Sequence, residues 1–411
     1  MHNVTKFILF FLLACTDASY AGGPINLGGP TGNTPVIYQN SNIDIHVENG
    51  DFGLTPNAAA VVKMQDAFNL WNNVITSAIN LNINTSLLNF EVDVSNYLNY
   101  VDSLNGPVLH ANDLTNPFIF DSNGAITNQY FGLTQNETIL GFSGSSFFGS
   151  TNSYAEGFSV INASAIETAN VAAIPIFAHE IGHFIGLDHS QVNIDNQESV
   201  GFPGFCTTTT SNNYPLMYPF ACRSSSSLHA DDISAVSALY PAVNINNNFG
   251  ILNGRFLDDA GNAILGANIW AENTTGDIIS GISDYLKQNT GFFQLYLPAG
   301  NYTLHANSIN TAFEGGSGVG PYSDNSADAS FIAPHPITEV VYQGNTAPNA
   351  EVITISTNQT ITINFSNTGA KITLATNNGT GGSDNIFGAT SHLTLLLLLS
   401  GLLYGRRMAR Y

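Results

Sequence analysis

One stretch of the chain concentrates the groups that can do chemistry: Phe177-Ala178-His179-Glu180-Ile181-Gly182-His183-Phe184-Ile185-Gly186-Leu187-Asp188-His189-Ser190. On a helix, His179 and His183 stand one turn apart on the same face, so both imidazoles can reach one ion. Glu180 follows the first histidine, and its carboxylate can face a water at that ion. Gly186 breaks the helix and lets the chain turn back. His189 then supplies a third nitrogen from outside the helix. Three protein ligands leave a fourth position for water, which is the arrangement of a catalytic rather than a structural zinc. Zinc brings the pKa of such a water to about 7 and polarises a carbonyl, while Glu180 is placed to take the proton and hand it to a leaving amine. A bare His-Glu-x-x-His also arises on helices that bind nothing. Gly186 and His189 make this one specific.

The elements that must position these groups can be read from periodicity and punctuation. A helix is predicted from about Ile174, with Pro175 in its first turn and Gly186 past its end. A long polar loop follows from Ser190 to Tyr214, and a last helix, Asp231–Leu239, precedes Pro241. Upstream, Gly22–Thr34 reads as a flexible Gly/Pro/Asn leader and Val36–Val47 as a strand. Pro56 opens a helix in which Ala60, Met64, Phe68, Trp71 and Val74 recur at helical spacing, to about Ala78. Strand-like pieces fill Leu87–Ile161. Val243–Asn248 reads as a linker, 249–366 as all-β, and 367–392 as a second polar linker. The expected fold is thus an α+β domain over 22–242 followed by an all-β domain.

Composition bounds the function classes. The chain has 411 residues, a net charge of −21 and only 9% charged residues, against roughly 25% in an average domain. That acidity argues against nucleic acid and against anionic membranes as partners, and suits an exported protein kept soluble by charge. Residues 1–21 read as a signal peptide: Lys6, an apolar run Phe7–Ala14, and Ser19-Tyr20-Ala21 for cleavage after Ala21. Leu12-Leu13-Ala14-Cys15 loosely resembles a lipoprotein box, which Leu13 fits poorly. With Cys15 removed, Cys206 and Cys222 are left as a pair in an oxidising compartment, and a disulfide between them is expected. At the other end, Gly381-Gly382, the apolar run Leu393–Leu403 and Arg406, Arg407 and Arg410 resemble the Gly-Gly type of Gram-negative C-terminal sorting signal, placing 393–411 as a cleaved tail. Removal of both ends leaves a more acidic mature chain. The localisation expected is exported, secreted or on the bacterial outer surface, with export and sorting machinery as partners.

Downstream of the histidines come Leu216-Met217-Tyr218-Pro219, then Leu228-His229-Ala230-Asp231-Asp232-Ile233 and Ala238-Leu239-Tyr240. With these, the segment from about Val36 to Pro241 resembles a matrixin, the metzincin family of the matrix metalloproteases, in bacterial form. The resemblance implies a zincin-like fold with catalytic Zn2+ on His179, His183 and His189, and Glu180 as the base. It makes Met217 an apolar floor under the metal and Tyr218 and Pro219 a wall of the substrate pocket. The aspartates after His229 would brace the methionine turn, and His229 itself reads as structural. The sequence departs from the family in three ways. No cysteine-bearing propeptide is evident, so latency by that route is not expected. The loop before Met217 is long, and a Cys206–Cys222 staple would reshape the pocket. Structural zinc and calcium ligands cannot be matched: Asp121-Ser122-Asn123-Gly124 has the oxygens of a Ca2+ loop without its remainder, and a plain turn is the preferred reading.

Gly254-Arg255-Phe256, Gly266-Ala267-Asn268-Ile269, Gly291-Phe292-Phe293 and Leu297-Pro298-Ala299-Gly300-Asn301-Tyr302 resemble a carboxypeptidase-regulatory-like or collagen-adhesin-B-like β-sandwich. Such modules are spacers or binding accessories. The resemblances together imply a monomeric zinc metalloendopeptidase acting on extended polypeptides. Two other readings compete. One is a surface adhesion or matrix-binding protein with an inactive zinc domain, which the intact Glu180 opposes. The other is a zinc hydrolase of non-peptide substrates, which the methionine turn opposes.

Overall fold

The computed structural model describes residues 23–30, 32–84, 88–101, 115–134, 139–147, 151–190, 192, 213–308 and 337–374. The expected signal peptide and C-terminal sorting tail, Cys15, Cys206 and most of the polar loop after Ser190 lie outside these residues. Among the described residues, no helix is long and apolar enough to cross a membrane.

The first part of the chain builds one five-stranded sheet from β1 (Asn42–Val47), β2 (Asn80–Asn84), β3 (Pro117–Asp121), β4 (Gly141–Phe147) and β5 (Tyr154–Asn162). Their order is β2-β1-β3-β5-β4. The first four in that order are parallel, and β4 closes one edge antiparallel to β5. Alternation along β3 sends Phe118 and Phe120 into the main core and Ile119 into a smaller core with Val92, Tyr97, Ile126 and Phe158, so this strand is buried on both faces. The Gly/Ser-rich β4 is half-buried throughout, as an edge strand can be.

Helices α1 (Asn57–Asn72) and α4 (Ala173–Phe184) share the main core, where Met64, Phe68 and Trp71 join Phe177, Ile181 and Phe184. Full burial of a side chain such as Phe177 stabilises the fold by about 1.5–3 kcal/mol relative to exposure. The other α-helices among the described residues are short: α2 (Ala125–Tyr130), α3 (Ala163–Ala169) and α5 (Ala230–Leu239). The Asp121 carboxylate accepts hydrogen bonds from the N–H groups of Ile126 and Thr127 and from the Thr127 hydroxyl, so Asp121–Gly124 forms the turn that starts α2.

Local chemistry moves two expected boundaries and orders one expected flexible segment. The helix expected to reach Ala78 stops at Asn72, because the Asn72 side chain exchanges hydrogen bonds with the backbone of Leu81 and ties the helix end to β2. The strand expected from Val36 begins at Asn42, after Asn40 Oδ1 accepts from Asn42 N and bends the chain. The leader expected to be flexible is docked: Leu27–Gly28 pairs with Thr34–Pro35, Ile25 N donates to Gly186 O, and Asp188 N donates to Gly23 O. Its glycines permit that approach, since a Cβ on Gly28 would lie 2.3 Å from Thr151 O.

After the short turn Ile245–Asn247, where a linker was expected, the chain forms two further sheets. Their strands are β6 (Phe249–Leu257), β7 (Ala267–Asn273), β8 (Ile278–Ile282), β9 (Phe292–Pro298), β10 (Gly300–Ser308), β11 (Val340–Val341), β12 (Ile353–Ile355), β13 (Thr360–Thr362) and β14 (Phe365–Ser366). One sheet runs β8-β7-β10-β11, with β12 also on β10. The other runs β9-β6-β13, with β14 also on β6. Both contribute to a single apolar core that includes Leu252, Phe256, Phe293 and Leu297 from one sheet and Ile269, Ala271, Leu304 and Ala306 from the other. Trp270 and Tyr302 are both buried. Helix α5 packs on β8 and β9 of this region, and the described residues up to Ile372 belong to one compact unit.

Candidate metal centre

Helix α4 carries the first two histidines and ends as the sequence requires. Gly186 has φ +92°, Gly186 N donates to His183 O at 2.9 Å, and Leu187 N donates to Gly182 O at 2.8 Å, which is the Schellman pattern of helix termination. A Cβ at Gly186 would lie 2.8 Å from the Tyr154 ring. This turn sends the chain back so that His189 faces the helix.

The three imidazoles converge. His183 Nε2 lies 3.1 Å from His179 Nε2 and 3.1 Å from His189 Nε2. His179 Nδ1 is 2.7 Å from Leu216 O, and His183 Nδ1 is 2.9 Å from Leu187 O. A carbonyl only accepts, so each of these Nδ1 atoms carries the ring proton and each Nε2 presents a lone pair. Two lone pairs at that separation repel unless a cation lies between them. Zn–N bonds of about 2.0–2.1 Å at a tetrahedral angle put ligand nitrogens about 3.3 Å apart, close to the observed spacing. Burial also lowers the pKa of both rings, that of His183 to about 3, with the His179 ring adding to the shift. The donor set therefore fits zinc. Among the described residues, it is the one group of three or more His, Cys, Asp or Glu side chains close enough to share an ion.

Glu180 lies beside this cluster on α4 and is 4% exposed. Burial pushes its carboxyl up to about 8, while the Ser143 hydroxyl, which donates to Glu180 Oε2 at 3.0 Å, pulls it down. Ser143 lies on the edge strand β4. A Cβ at Gly141, the first residue of that strand, would sit 2.7 Å from Glu180 Cγ, so glycine there lets the strand pass close to the carboxylate.

In the methionine turn, Met217 follows Leu216, whose carbonyl oxygen holds His179 Nδ1. Met217 is buried, and its Sδ would be 2.2 Å from a Cβ on Gly182 of α4, so the thioether packs where a side chain on the helix would otherwise go. Asp232 braces the turn: its carboxylate accepts from Leu216 N at 2.8 Å, Met217 N at 3.0 Å and His229 N at 2.8 Å. His229 caps α5, its Nδ1 accepting from Asp231 N. Tyr218 is buried, its ring 4.6 Å from that of Tyr214, and Pro219 beside it is half-buried. Cys222 is disulfide-bonded; Cys206, its expected partner, lies outside the described residues.

The structure thus brings together His179, His183, His189, Glu180 and Met217. It also shows four contributors that spacing did not single out. Ser143 sits in a Ser/Gly stretch that any exposed edge could carry. Gly182 reads as an ordinary variable position of the motif. Trp71 donates its Nε1–H to Ala178 O of α4 at 2.9 Å, and its helical period marked it only as core. Ser190 donates from its backbone N to Met217 O at 2.7 Å, immediately after the third histidine. No protein-family model matches this chain, and no curated protein is a significant relative of it.

Proposed function

We propose that the chain is an exported zinc metalloendopeptidase, with a zincin-like catalytic domain followed by a β-sandwich. The observation that supports it most is the convergence of three Nε2 atoms, two with their Nδ1 protons held by backbone carbonyls, beside a buried glutamate. When bound, zinc supplies the Lewis acidity that polarises a scissile carbonyl and acidifies a water. His179, His183 and His189 would hold it. Glu180 takes the water proton and delivers it to the leaving amine, and a carboxyl raised by burial is a stronger base for that task than an exposed one. Ser143 holds Glu180 Oε2 on the side of β4 until substrate arrives. Among the described residues β4 is the outer strand of its sheet, and an extended peptide adding beside it as a further strand would bring its carbonyl alongside Glu180. Met217 would form the apolar floor, and Tyr218 and Pro219 the wall.

The test is hydrolysis of casein or gelatin by the purified chain, with and without a zinc chelator, beside Glu180→Ala. The expected result is chelator-sensitive cleavage by the wild type. Glu180→Ala should bind zinc normally and cleave on the order of 10²–10⁴-fold more slowly. A chain that binds one zinc and cuts no protein or peptide library would sink the protease reading and favour a binding role.

A further inference from the structure

We propose that the two-sheet region is a working part of the metal centre: strand β8, acting through Asp231, fixes the segment that carries His189. The inference rests on the metal-centre reading above. The residues after His189 do not hang free. Ser190 is fully buried, and its hydroxyl donates to Asp231 Oδ2 at 2.5 Å. Two residues on, Val192 is 1% exposed and packs against Trp270 of β7 and Ile278 of β8. Asp231, in the first turn of α5, is itself buried, and its other oxygen accepts from Ser280 N at 2.6 Å and Ser280 Oγ at 3.1 Å. One carboxylate therefore joins the third-ligand segment to the second β region.

The register shows that this contact is built in. β8 is the outer strand of its sheet, and Ser280 faces Trp270 in the pairing with β7. Ser283 N donates to Ala267 O, so Ser280, three residues earlier, turns its N–H away from β7, toward Asp231. The adjacent Asp232 braces Met217, and Ser190 N bonds Met217 O. Successive aspartates thus hold the floor of the site and the chain of its third ligand. A partner of this kind orients a ligand without touching the metal, and Asp231 is a positioning residue in that sense.

The experiment uses the full chain and reads zinc affinity by chelator competition, with the visible spectrum of the cobalt-loaded protein as a second signature. Ser280→Pro deletes the N–H that Asp231 accepts and breaks no ladder bond, since an outer strand tolerates proline on its open side. Asp231→Ala removes both arms. Each should weaken zinc binding about 10–100-fold and shift the cobalt bands. Asp231→Asn should recover most of the loss, because its carbonyl can still accept from Ser280 and its amide can donate to Ser190 Oγ. Ser234→Ala removes a different bond across the same interface, from Ser234 Oγ to Tyr296 O at 2.9 Å, and should leave zinc affinity unchanged. Wild-type affinity and spectrum in both Ser280→Pro and Asp231→Ala would overturn the inference, as would a loss in Ser234→Ala equal to theirs. A wild-type chain that takes up neither zinc nor cobalt would overturn the metal-centre reading itself, and the inference with it.

Discussion

The two halves of the histidine cluster are held by different means. His179 and His183 ride on one helix, and its internal hydrogen bonds fix their spacing. Their Nδ1 protons are taken by nearby carbonyls, those of Leu216 and Leu187. His189 stands off the helix, and its place depends on a glycine turn, a docked leader and contacts reaching from residue 23 to residue 280. The comparison teaches that a local motif can place two of the histidines almost by itself, while the third must be positioned by the whole fold. Helix geometry is cheap to encode. Returning a chain to within 3.1 Å of a chosen nitrogen is not.

Three perturbations test that difference. The largest effect is expected from His183→Ala, because His183 Nε2 neighbours both other nitrogens. Zinc affinity should fall by more than the roughly 100-fold that loss of an outer-shell partner costs, with little change in the metal-free melting temperature. A metal affinity close to wild type by chelator competition would break the account of the cluster. Next comes Gly186→Ala. A non-glycine residue at φ +92° with its Cβ against Tyr154 should cost about 1–3 kcal/mol of stability in denaturant titrations, and it should also weaken metal binding by misplacing His189. A stability loss with unchanged affinity would show that the return turn is less closely tied to His189 than argued.

The smallest effect is a pH dependence. Burial pushes the Asp231 carboxyl up from its ordinary 3.8 to about 7, against the hydrogen bonds from Ser190 and Ser280. A carboxyl raised on folding favours the protonated form in the folded chain. Its contribution is complete below its ordinary value and is lost as the pH climbs through about 7. In chelator, wild type should therefore lose a few degrees of melting temperature relative to Asp231→Asn between about pH 5 and pH 9. Parallel melting curves across that range would show that Asp231 does not titrate there.

The same contrast explains what was legible in the sequence. The α4 motif was readable because helical period, Pro175 and Gly186 act within a few residues of one another. The order β2-β1-β3-β5-β4 was not, since strand neighbours are chosen by contacts far apart in the chain. The leader was misjudged for a related reason: glycine and proline mark a flexible segment and a closely docked one alike, and only the partner, here Gly186 and Asp188, separates them. Met217 was legible through its neighbours Tyr218 and Pro219. Ser143 and Ser190 were not, because a serine's role depends on which carboxylate the fold sets before it. Asp231 was singled out as a brace of the methionine turn. Its neighbour Asp232 bonds that turn directly, and Asp231 reaches Ser190 and Ser280.

The chain holds two tryptophans, and they fall on opposite sides of the grip just described. Trp71 is fully buried and bonded to α4, while Trp270 packs on Val192 and stacks on the His305 ring at 5.0 Å. The molecule therefore carries its own pair of fluorescent reporters, one for the helix-borne ligands and one for the region that holds the loop-borne one. Emission from Trp270→Phe follows the first alone, and the difference from wild type follows the second. If the two signals move at one denaturant concentration, the half that carries the histidines and the two-sheet half melt as a single cooperative body.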